Sequence, residues 1–172
     1  MDAPEDAVMQ EKHGTGTEKG TQRGVGGNGQ AMQDPVAFVR DQYDAFNKRD
    51  WDRMLASVAR DAKWTDVPLA KSYDGQDGCR RFFSGWVDAF KDAKIEVKNI
   101  VASGNTMVCE FIGRGTHTGT LNGPHGSLAP TNRRLEMPFV EIWEMRNGMV
   151  TAGRTYYDVA TMLRQLGSEM SI

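Results

Sequence analysis

Apolar residues recur every three or four positions in the N-terminal half of the chain, which is the spacing of one helical face. The first such segment follows Asp34 and Pro35, a pair typical of a helix start. A second, short helix is predicted after Asp50. A third carries aromatic residues at i, i+4 and i+8, namely Phe82, Trp86 and Phe90, and aromatic stripes at this spacing usually pack against a sheet. The short segment "AKWTDVP", between the second and third helices, is predicted to be a strand.

The pattern changes to a period of two after residue 94. Four longer strands are predicted as two hairpins, one turning at Gly104-Asn105 and the other at Asn147-Gly148. A Gly/Pro-rich loop separates the hairpins, and a short helix ends at Gly167. Helices segregated from an antiparallel sheet indicate an α+β domain.

The second hairpin predicts a pocket. A regular two-residue turn at Asn147-Gly148 would oppose Glu141 to Arg154, and opposed residues share a face of the sheet. The same register places large apolar side chains and a carboxylate around this pair: Met137, Phe139, Trp143, Tyr156 and Asp158. Apolar walls with a few polar groups are typical of a small-molecule site, although a plain cross-strand ion pair explains Glu141 and Arg154 equally well. The opposite face would carry Val140, Ile142, Thr155 and Tyr157.

Composition narrows the function classes. The chain has 172 residues, of which 39% are hydrophobic. Its formal net charge is −2, so it lacks the excess of basic residues that is typical of nucleic-acid-binding proteins. It contains no apolar run of the roughly 18 residues that span a bilayer, and its acidic start lacks the apolar region of a secretory signal. Two distant cysteines and three scattered histidines do not form a disulfide framework or a metal site. We therefore expect a soluble, cytoplasmic protein without a metal.

Residues 1–33 are predicted to be a disordered Gly-rich arm, because they hold almost no large apolar residues. Within the arm, "GVGGNG" at residues 24–29 matches a phosphate-binding pattern. That pattern binds a pyrophosphate only between a strand and a helix, and neither element is predicted here, so we interpret it as linker. Residues 34–168 are predicted to be the folded domain.

Four further residues are candidates for the pocket. Tyr43 on the first helix could point into the cone, although core packing explains it equally well. Trp64 and Asp66 in "WTDVP" share one face of the short strand. Asp66 could act as a base or form the turn before Pro68. His117 in "GTHTG" could line the pocket mouth or be a solvated loop residue, whereas His125 and His13 are interpreted as loop and arm residues.

Asp158 has two competing interpretations. It precedes "VATMLRQLG", so it fits an ordinary helix N-cap, which keeps a carboxylate ionised. A general acid at the floor of a pocket would instead need a raised pKa.

The segments "VRDQYDAFNKRDWDRMLA", "GRGTHTGTLNG", "EIWEMRNGMV" and "YYDVATMLRQLG" resemble the SnoaL-like polyketide cyclases of the NTF2-like superfamily, over about residues 35–167. The resemblance implies a cone of curved antiparallel sheet closed by N-terminal helices, with a short C-terminal helix. It also implies an intramolecular aldol condensation that closes a ring of an aromatic polyketide ester, without metal or cofactor. One aspartate before the terminal helix acts as general acid/base in such cyclases, and Asp158 matches it by position. A histidine partner is missing from "PFVEIWEM", which leaves Glu141, Arg154 or His117.

Three alternatives remain open beside a cyclase or related isomerase. The cone could hold a hydrophobic ligand without converting it, or it could be a partner-binding scaffold. It could also hydrolyse epoxides, although Glu110 and Arg114 do not make the close dyad that this reaction needs. The resemblance further suggests a homodimer through the outer face of the sheet.

Overall fold

A computed structural model describes residues 34–124 and 126–168. The predicted arm, with "GVGGNG" and His13, and the loop residue His125 lie outside these residues. The described chain forms four helices and eight strands, in the following order: α1 (Pro35–Lys48), α2 (Trp51–Ala56), β1 (Val58–Asp66), β2 (Lys71–Asp74), α3 (Gly75–Ala89), β3 (Lys94–Ser103), β4 (Thr106–Thr116), β5 (Leu121–Gly123), β6 (Gly126–Leu128), β7 (Arg134–Arg146), β8 (Met149–Tyr157) and α4 (Val159–Leu166).

Local signals in the sequence set the helix boundaries. The Asp34 carboxylate accepts a hydrogen bond from the Ala37 N–H, with Pro35 in the first turn of α1. Asp50 caps α2 in the same way. Gly167 ends α4 with a left-handed backbone, φ 73°, which glycine adopts without steric cost. The predicted starts of the first two helices and the end of the last are therefore confirmed.

Six strands form one curved sheet in the order β2-β1-β8-β7-β4-β3, and β5 and β6 form a separate small hairpin. Every pair in the large sheet is antiparallel except β1 and β8, which run parallel. The sequence did not predict this parallel pair, nor β2 and the β5–β6 hairpin inside the Gly/Pro loop. Both predicted two-residue turns are present, and Asn147 and Gly148 have φ values of 52° and 75°.

The register of β7 and β8 differs from the prediction. Next to the turn, Met145 opposes Val150 as expected, but Glu144 then opposes Ala152, which leaves Thr151 as one extra residue on β8. From this bulge onward Glu141 opposes Thr155 and Phe139 opposes Tyr157. A shift of one residue exchanges the two faces of a strand, so the predicted assignment of β8 side chains to faces is wrong.

Helices α1 and α3 cover the concave face of the sheet, and the core lies between them. Along β7 every second residue is buried and points to this core, namely Leu135, Met137, Phe139, Glu141, Trp143 and Met145. The inward orientation of Met137, Phe139, Glu141 and Trp143 therefore agrees with the prediction. Glu141 is the exception among them, because it is a carboxylic acid that is only 2% exposed.

Candidate functional site

Glu141 lies at the centre of a buried hydrogen-bonded cluster. Its Oε2 accepts hydrogen bonds from the Tyr43 hydroxyl at 2.9 Å and from the Trp143 indole N–H at 3.1 Å. Its Oε1 accepts one from the Thr155 hydroxyl at 3.0 Å, and the Thr155 oxygen in turn accepts one from the Trp64 indole N–H at 2.9 Å. All five residues are at most 2% exposed. The carboxyl group is therefore held in one position by three donors, which come from α1, β7 and β8.

Different elements bring these groups together. Tyr43 comes from the buried face of α1 and Trp64 from β1, while Glu141 and Trp143 lie two residues apart on β7 and so share its inner face. Thr155 joins them because the bulge at Thr151 turns it inward opposite Glu141. Gly153 makes room for the Trp64 ring, since a Cβ at this position would stand 2.2 Å from a ring carbon.

Burial controls the acidity of this cluster. It raises the pKa of Glu141 from 4.5 to about 7, although the hydrogen bonds from Tyr43, Trp143 and Thr155 act in the opposite direction. The pKa of the Tyr43 hydroxyl is also raised well above its usual range, first by burial and then by the neighbouring Glu141. Near neutral pH, Glu141 therefore exists in both protonation states, whereas Tyr43 keeps its proton and can donate a hydrogen bond.

Glu141 and Thr155 form part of the wall of a mainly aromatic cavity. The other walls come from α1, α3 and the inner face of the sheet, and include Phe46, Phe82, Phe83, Trp86, Phe90, Phe111 and Phe139. The space that the centre of a water molecule can reach is about 50 Å³. A single water needs roughly 10–15 Å³ of such space, so the cavity has room for a few waters. A larger molecule can enter only if aromatic side chains move.

Two predicted pocket residues lie on the opposite, outer face of the sheet. Arg154 donates a hydrogen bond to Glu144 at 2.6 Å, and Tyr156 is 36% exposed. The prediction that they line the pocket is therefore wrong, and the cause is the extra residue Thr151. Their places inside are taken by Thr155 and Tyr157, which the sequence had assigned to the outer face.

The structure places Asp158 at the N-cap of α4, on the surface. Its carboxylate accepts hydrogen bonds from the Thr161 N–H at 3.1 Å and the Thr161 hydroxyl at 2.7 Å. These two bonds lower the pKa of Asp158 below its usual value. The predicted position at the floor of the pocket is thus corrected to an exposed cap, and the physical support for Asp158 as a general acid is lost.

The remaining candidates are all buried, but in different places. Trp64 reaches the Glu141 cluster through Thr155. Asp66 is 3% exposed and accepts a hydrogen bond from the Tyr157 hydroxyl at 3.1 Å, beside a second, larger groove. His117 is fully buried against Phe90, and its Nδ1 accepts a hydrogen bond from the Thr131 N–H at 3.3 Å. Because it does not line the aromatic cavity, its predicted place at the pocket mouth is not what the structure shows.

The structure also bears on metal binding and epoxide hydrolysis. Among residues 34–124 and 126–168, no three His, Cys, Asp or Glu side chains are grouped so that they could hold a metal ion. Glu110 faces outward, and Arg114 pairs with Glu96 and Glu136 on the surface, so these residues form no buried dyad.

No helix within the described ranges is long and apolar enough to cross a membrane.

Sequence reasoning missed the role of Thr155 and treated Phe82, Trp86 and Phe90 mainly as core. The aromatic residues in fact both pack in the core and line the cavity. An available signal was the position of Glu141, an acidic residue in the inward alternation of a strand otherwise filled with Met, Phe and Trp. A buried acid in such a row is unusual unless it is paired or functional.

An open, curved sheet covered on its concave side by helices is the fold of the NTF2-like α+β proteins. Within that class the chain belongs to the SnoaL-like polyketide cyclase family, whose model matches residues 37–166. No curated protein matches the chain.

Solved structures share the fold. An NTF2-like protein of unknown function from Burkholderia pseudomallei is 24% identical, with a TM-score of 0.63 over 80% of this chain and 100% of that one. IdmH, a proposed polyketide cyclase from Streptomyces antibioticus, is 26% identical, with a TM-score of 0.63 over 78% and 99%. AclR, a proposed hydroxylase from Streptomyces galilaeus, is 21% identical, with a TM-score of 0.64 over 76% and 93%.

Proposed function

We propose that the protein is a cofactor-free cyclase or isomerase of an apolar, polyketide-like carbonyl compound, and that Glu141 is its general acid/base. The observation that carries this proposal is the buried carboxyl with a pKa of about 7, held by three donors in an aromatic cavity. Proton transfer is most effective when the pKa of the catalytic group lies near the working pH. Membership of the SnoaL-like family supports the reaction class.

The cluster accounts for each step of an aldol ring closure. Ionised Glu141 removes a proton from the carbon between two substrate carbonyls, and the conjugated carbonyls delocalise the enolate charge. The enolate carbon attacks a second carbonyl of the same molecule, which forms the new carbon–carbon bond and leaves an alkoxide. Protonated Glu141 then returns the proton to that oxygen, so the carboxylate is restored without an external reactant.

The neighbours of Glu141 act as positioning residues in this scheme. Tyr43, Trp143 and Thr155 fix the carboxylate and stabilise its ionised form, while burial among the aromatic walls keeps its pKa from falling to 4.5. Phe139 lines the cavity and Trp143 belongs to the Glu141 cluster, so both fit the substrate contacts expected from the sequence. Asp158, Arg154 and Tyr156 do not line this cavity.

The test measures proton abstraction directly, because this step is required whatever the natural substrate is. Exchange of the α-protons of 2-tetralone is followed in D2O by NMR, with the wild-type protein and with Glu141→Gln. We expect the wild type to accelerate exchange, and Glu141→Gln to reduce this acceleration by about 10²–10⁴-fold, the usual contribution of a general acid/base. Glutamine keeps the size and the acceptor oxygen of the side chain, so the hydrogen bonds from Tyr43 and Trp143 can persist.

Asp158→Asn is the matched control, since it neutralises the surface carboxylate that the sequence favoured. We expect its exchange rate to equal that of the wild type. The opposite result, with Asp158→Asn inactive and Glu141→Gln active, would contradict the proposal. A wild-type protein that binds 2-tetralone but does not accelerate exchange would favour the second candidate, a non-catalytic binding protein for hydrophobic ligands, for which the aromatic cavity is the supporting observation.

A further inference from the structure

The two oxygens of the Glu141 carboxyl group are not equivalent. A carboxylate has about four lone-pair positions, two on each oxygen. Oε2 uses both of its positions, for the Tyr43 hydroxyl and the Trp143 indole N–H, whereas among the described residues Oε1 accepts a hydrogen bond from Thr155 alone. Glu141 and Thr155 are also the members of the cluster that line the aromatic cavity. Oε1 is therefore the oxygen that remains available to a proton from a ligand in the cavity.

The direction of the Thr155 hydroxyl depends on Trp64. A hydroxyl group has one proton and can turn it towards different acceptors. The Thr155 oxygen accepts a 2.9 Å hydrogen bond from the Trp64 indole N–H, a group that can donate but cannot accept. With this lone pair occupied, the Thr155 proton is directed to Glu141 Oε1, 3.0 Å away. Hydrogen bonds in such a chain polarise one another, so the contact with Trp64 also makes Thr155 a stronger donor.

The neighbours of the Trp64 ring hold it in this position. Gly153 is the partner of Trp64 in the parallel pair of β1 and β8, and a Cβ there would stand 2.2 Å from a ring carbon. The ring also packs against Phe82 and Phe83 of α3, with centroid distances of 5.8 and 4.7 Å. A side chain at residue 153 would therefore displace the indole N–H from Thr155.

We propose that Trp64 is a positioning residue of the site: through Thr155, its indole N–H favours the ionised form of Glu141 and leaves one lone pair of Oε1 for the substrate proton. Its part in catalysis rests on the proposed function. The hydrogen-bond chain itself belongs to the free protein and can be measured without a substrate, so the failure of this inference and the failure of the acid/base proposal can be told apart.

A titration of the cluster near neutral pH should report Glu141. The ionisable groups on the elements packed around it are Tyr43 on α1, Asp66 on β1, Lys94 on β3, Cys109 and Arg114 on β4, and Tyr157 on β8. Burial and three hydrogen bonds determine the pKa of Glu141, while burial raises the pKa of Tyr43 and that of Cys109, the latter to about 12. Asp66 and Tyr157 are hydrogen-bonded to each other.

The chain contains four tryptophans, and their indole N–H signals can be followed by NMR across neutral pH. Trp143 donates directly to Glu141, so its signal reports the Glu141 midpoint in every variant. In the wild type, we expect the Trp64 signal to move with the same midpoint. In Thr155→Val, which keeps the shape of the side chain without the hydroxyl, the Trp64 signal should stop moving. The Trp143 midpoint should then rise, by about threefold or more in proton affinity, because Glu141 has lost a hydrogen bond.

Trp64→Phe separates positioning from packing. A void left by the smaller ring would admit water and lower the pKa of Glu141, whereas the loss of an aligned donor raises it. We expect the Trp143 midpoint to rise, by about twofold or more in proton affinity. In a Thr155→Val background the same substitution should add nothing, because both changes act through one hydroxyl. Trp51→Phe, which removes an indole outside the cluster, is the matched control and should leave the midpoint unchanged.

Two results would overturn the inference: a wild-type Trp64 signal that does not follow the Glu141 midpoint, or a midpoint that Trp64→Phe leaves unchanged or lowers. The first needs no Trp64 variant, so it applies even if Trp64→Phe does not fold. Either result together with Glu141-dependent exchange of 2-tetralone would leave the acid/base proposal intact. The expected NMR shifts without any exchange by the wild type would instead support the positioning of Glu141 by Trp64 and remove the acid/base proposal.

Discussion

The single residue Glu141 is expected to make the stability of the protein depend on pH. Its pKa in the folded protein is about 7, against 4.5 for an ordinary glutamate, so the folded state binds a proton more tightly than the unfolded state. The resulting stabilisation is complete below pH 4.5 and is lost as the pH rises towards about 7. At about 1.4 kcal/mol per pH unit, the free energy of unfolding should fall by on the order of 3 kcal/mol across this range.

Urea unfolding at several pH values measures this effect. In Glu141→Gln, which does not titrate, the decrease between pH 4.5 and pH 7 should be smaller by the same amount. Asp66 is the other buried carboxyl with a raised pKa, and it contributes a decrease of the same sign that remains in the Glu141→Gln variant. An identical pH profile for the wild type and Glu141→Gln would show that folding does not raise the pKa of Glu141, and would remove the basis of the proposed chemistry.

The sequence could predict which residues point into the site only where the alternation within a single strand determines their orientation. The alternation along β7 correctly placed Phe139, Glu141 and Trp143 inside, because a regular strand fixes the face of each residue. Thr155 could not be placed, since the bulge that turns it inward depends on how two strands pair. The acidity of Glu141 was also beyond the sequence, because it depends on burial by residues from several elements, including Tyr43, which lies 98 positions away.

At the scale of one element, Asp158 is expected to stabilise α4 without serving the chemistry. Its carboxylate satisfies the free Thr161 N–H at the start of this eight-residue helix. Asp158→Ala should lower the free energy of unfolding by about 1 kcal/mol, the usual cost of losing a cap. Thermal unfolding measures the loss, and Asp158→Ser, which can still cap, should recover most of it.

The same elements show what the sequence could predict about the fold. Helix starts at Asp34 and Asp50 and the two hairpin turns were predictable, because capping and turn formation depend on a few adjacent residues. The short strand β2 and the parallel pairing of β1 with β8 were not. The parallel pairing brings β1 beside a strand about 90 positions further along the chain, and no neighbouring residue encodes that contact. Strand β2, by contrast, has only four residues and pairs with β1 through a local turn.

For the whole molecule, the outer face of the sheet is the proposed surface for a homodimer. Val101 and Val108 are 54% and 38% exposed and oppose each other on the outer face of β3 and β4, and the register correction adds Tyr156 to this face. We predict a dimer in sedimentation at micromolar concentration. Val108→Glu should shift it to a monomer, whereas Glu110→Gln, on the same strand, should not. A monomeric wild type would contradict the prediction.

The extra residue Thr151 affects how relatives of this chain can be aligned. The face assigned to a β8 residue depends on the end from which the residues are counted. Counting from the hairpin turn gives the opposite face to counting back from α4, unless the bulge is included. In a relative that lacks the extra residue, the opposite set of β8 side chains would point to the interior. An assignment of equivalent active-site residues in β8 therefore needs the strand pairing of both proteins, because a gap misplaced by one position would exchange every inward residue for an outward one.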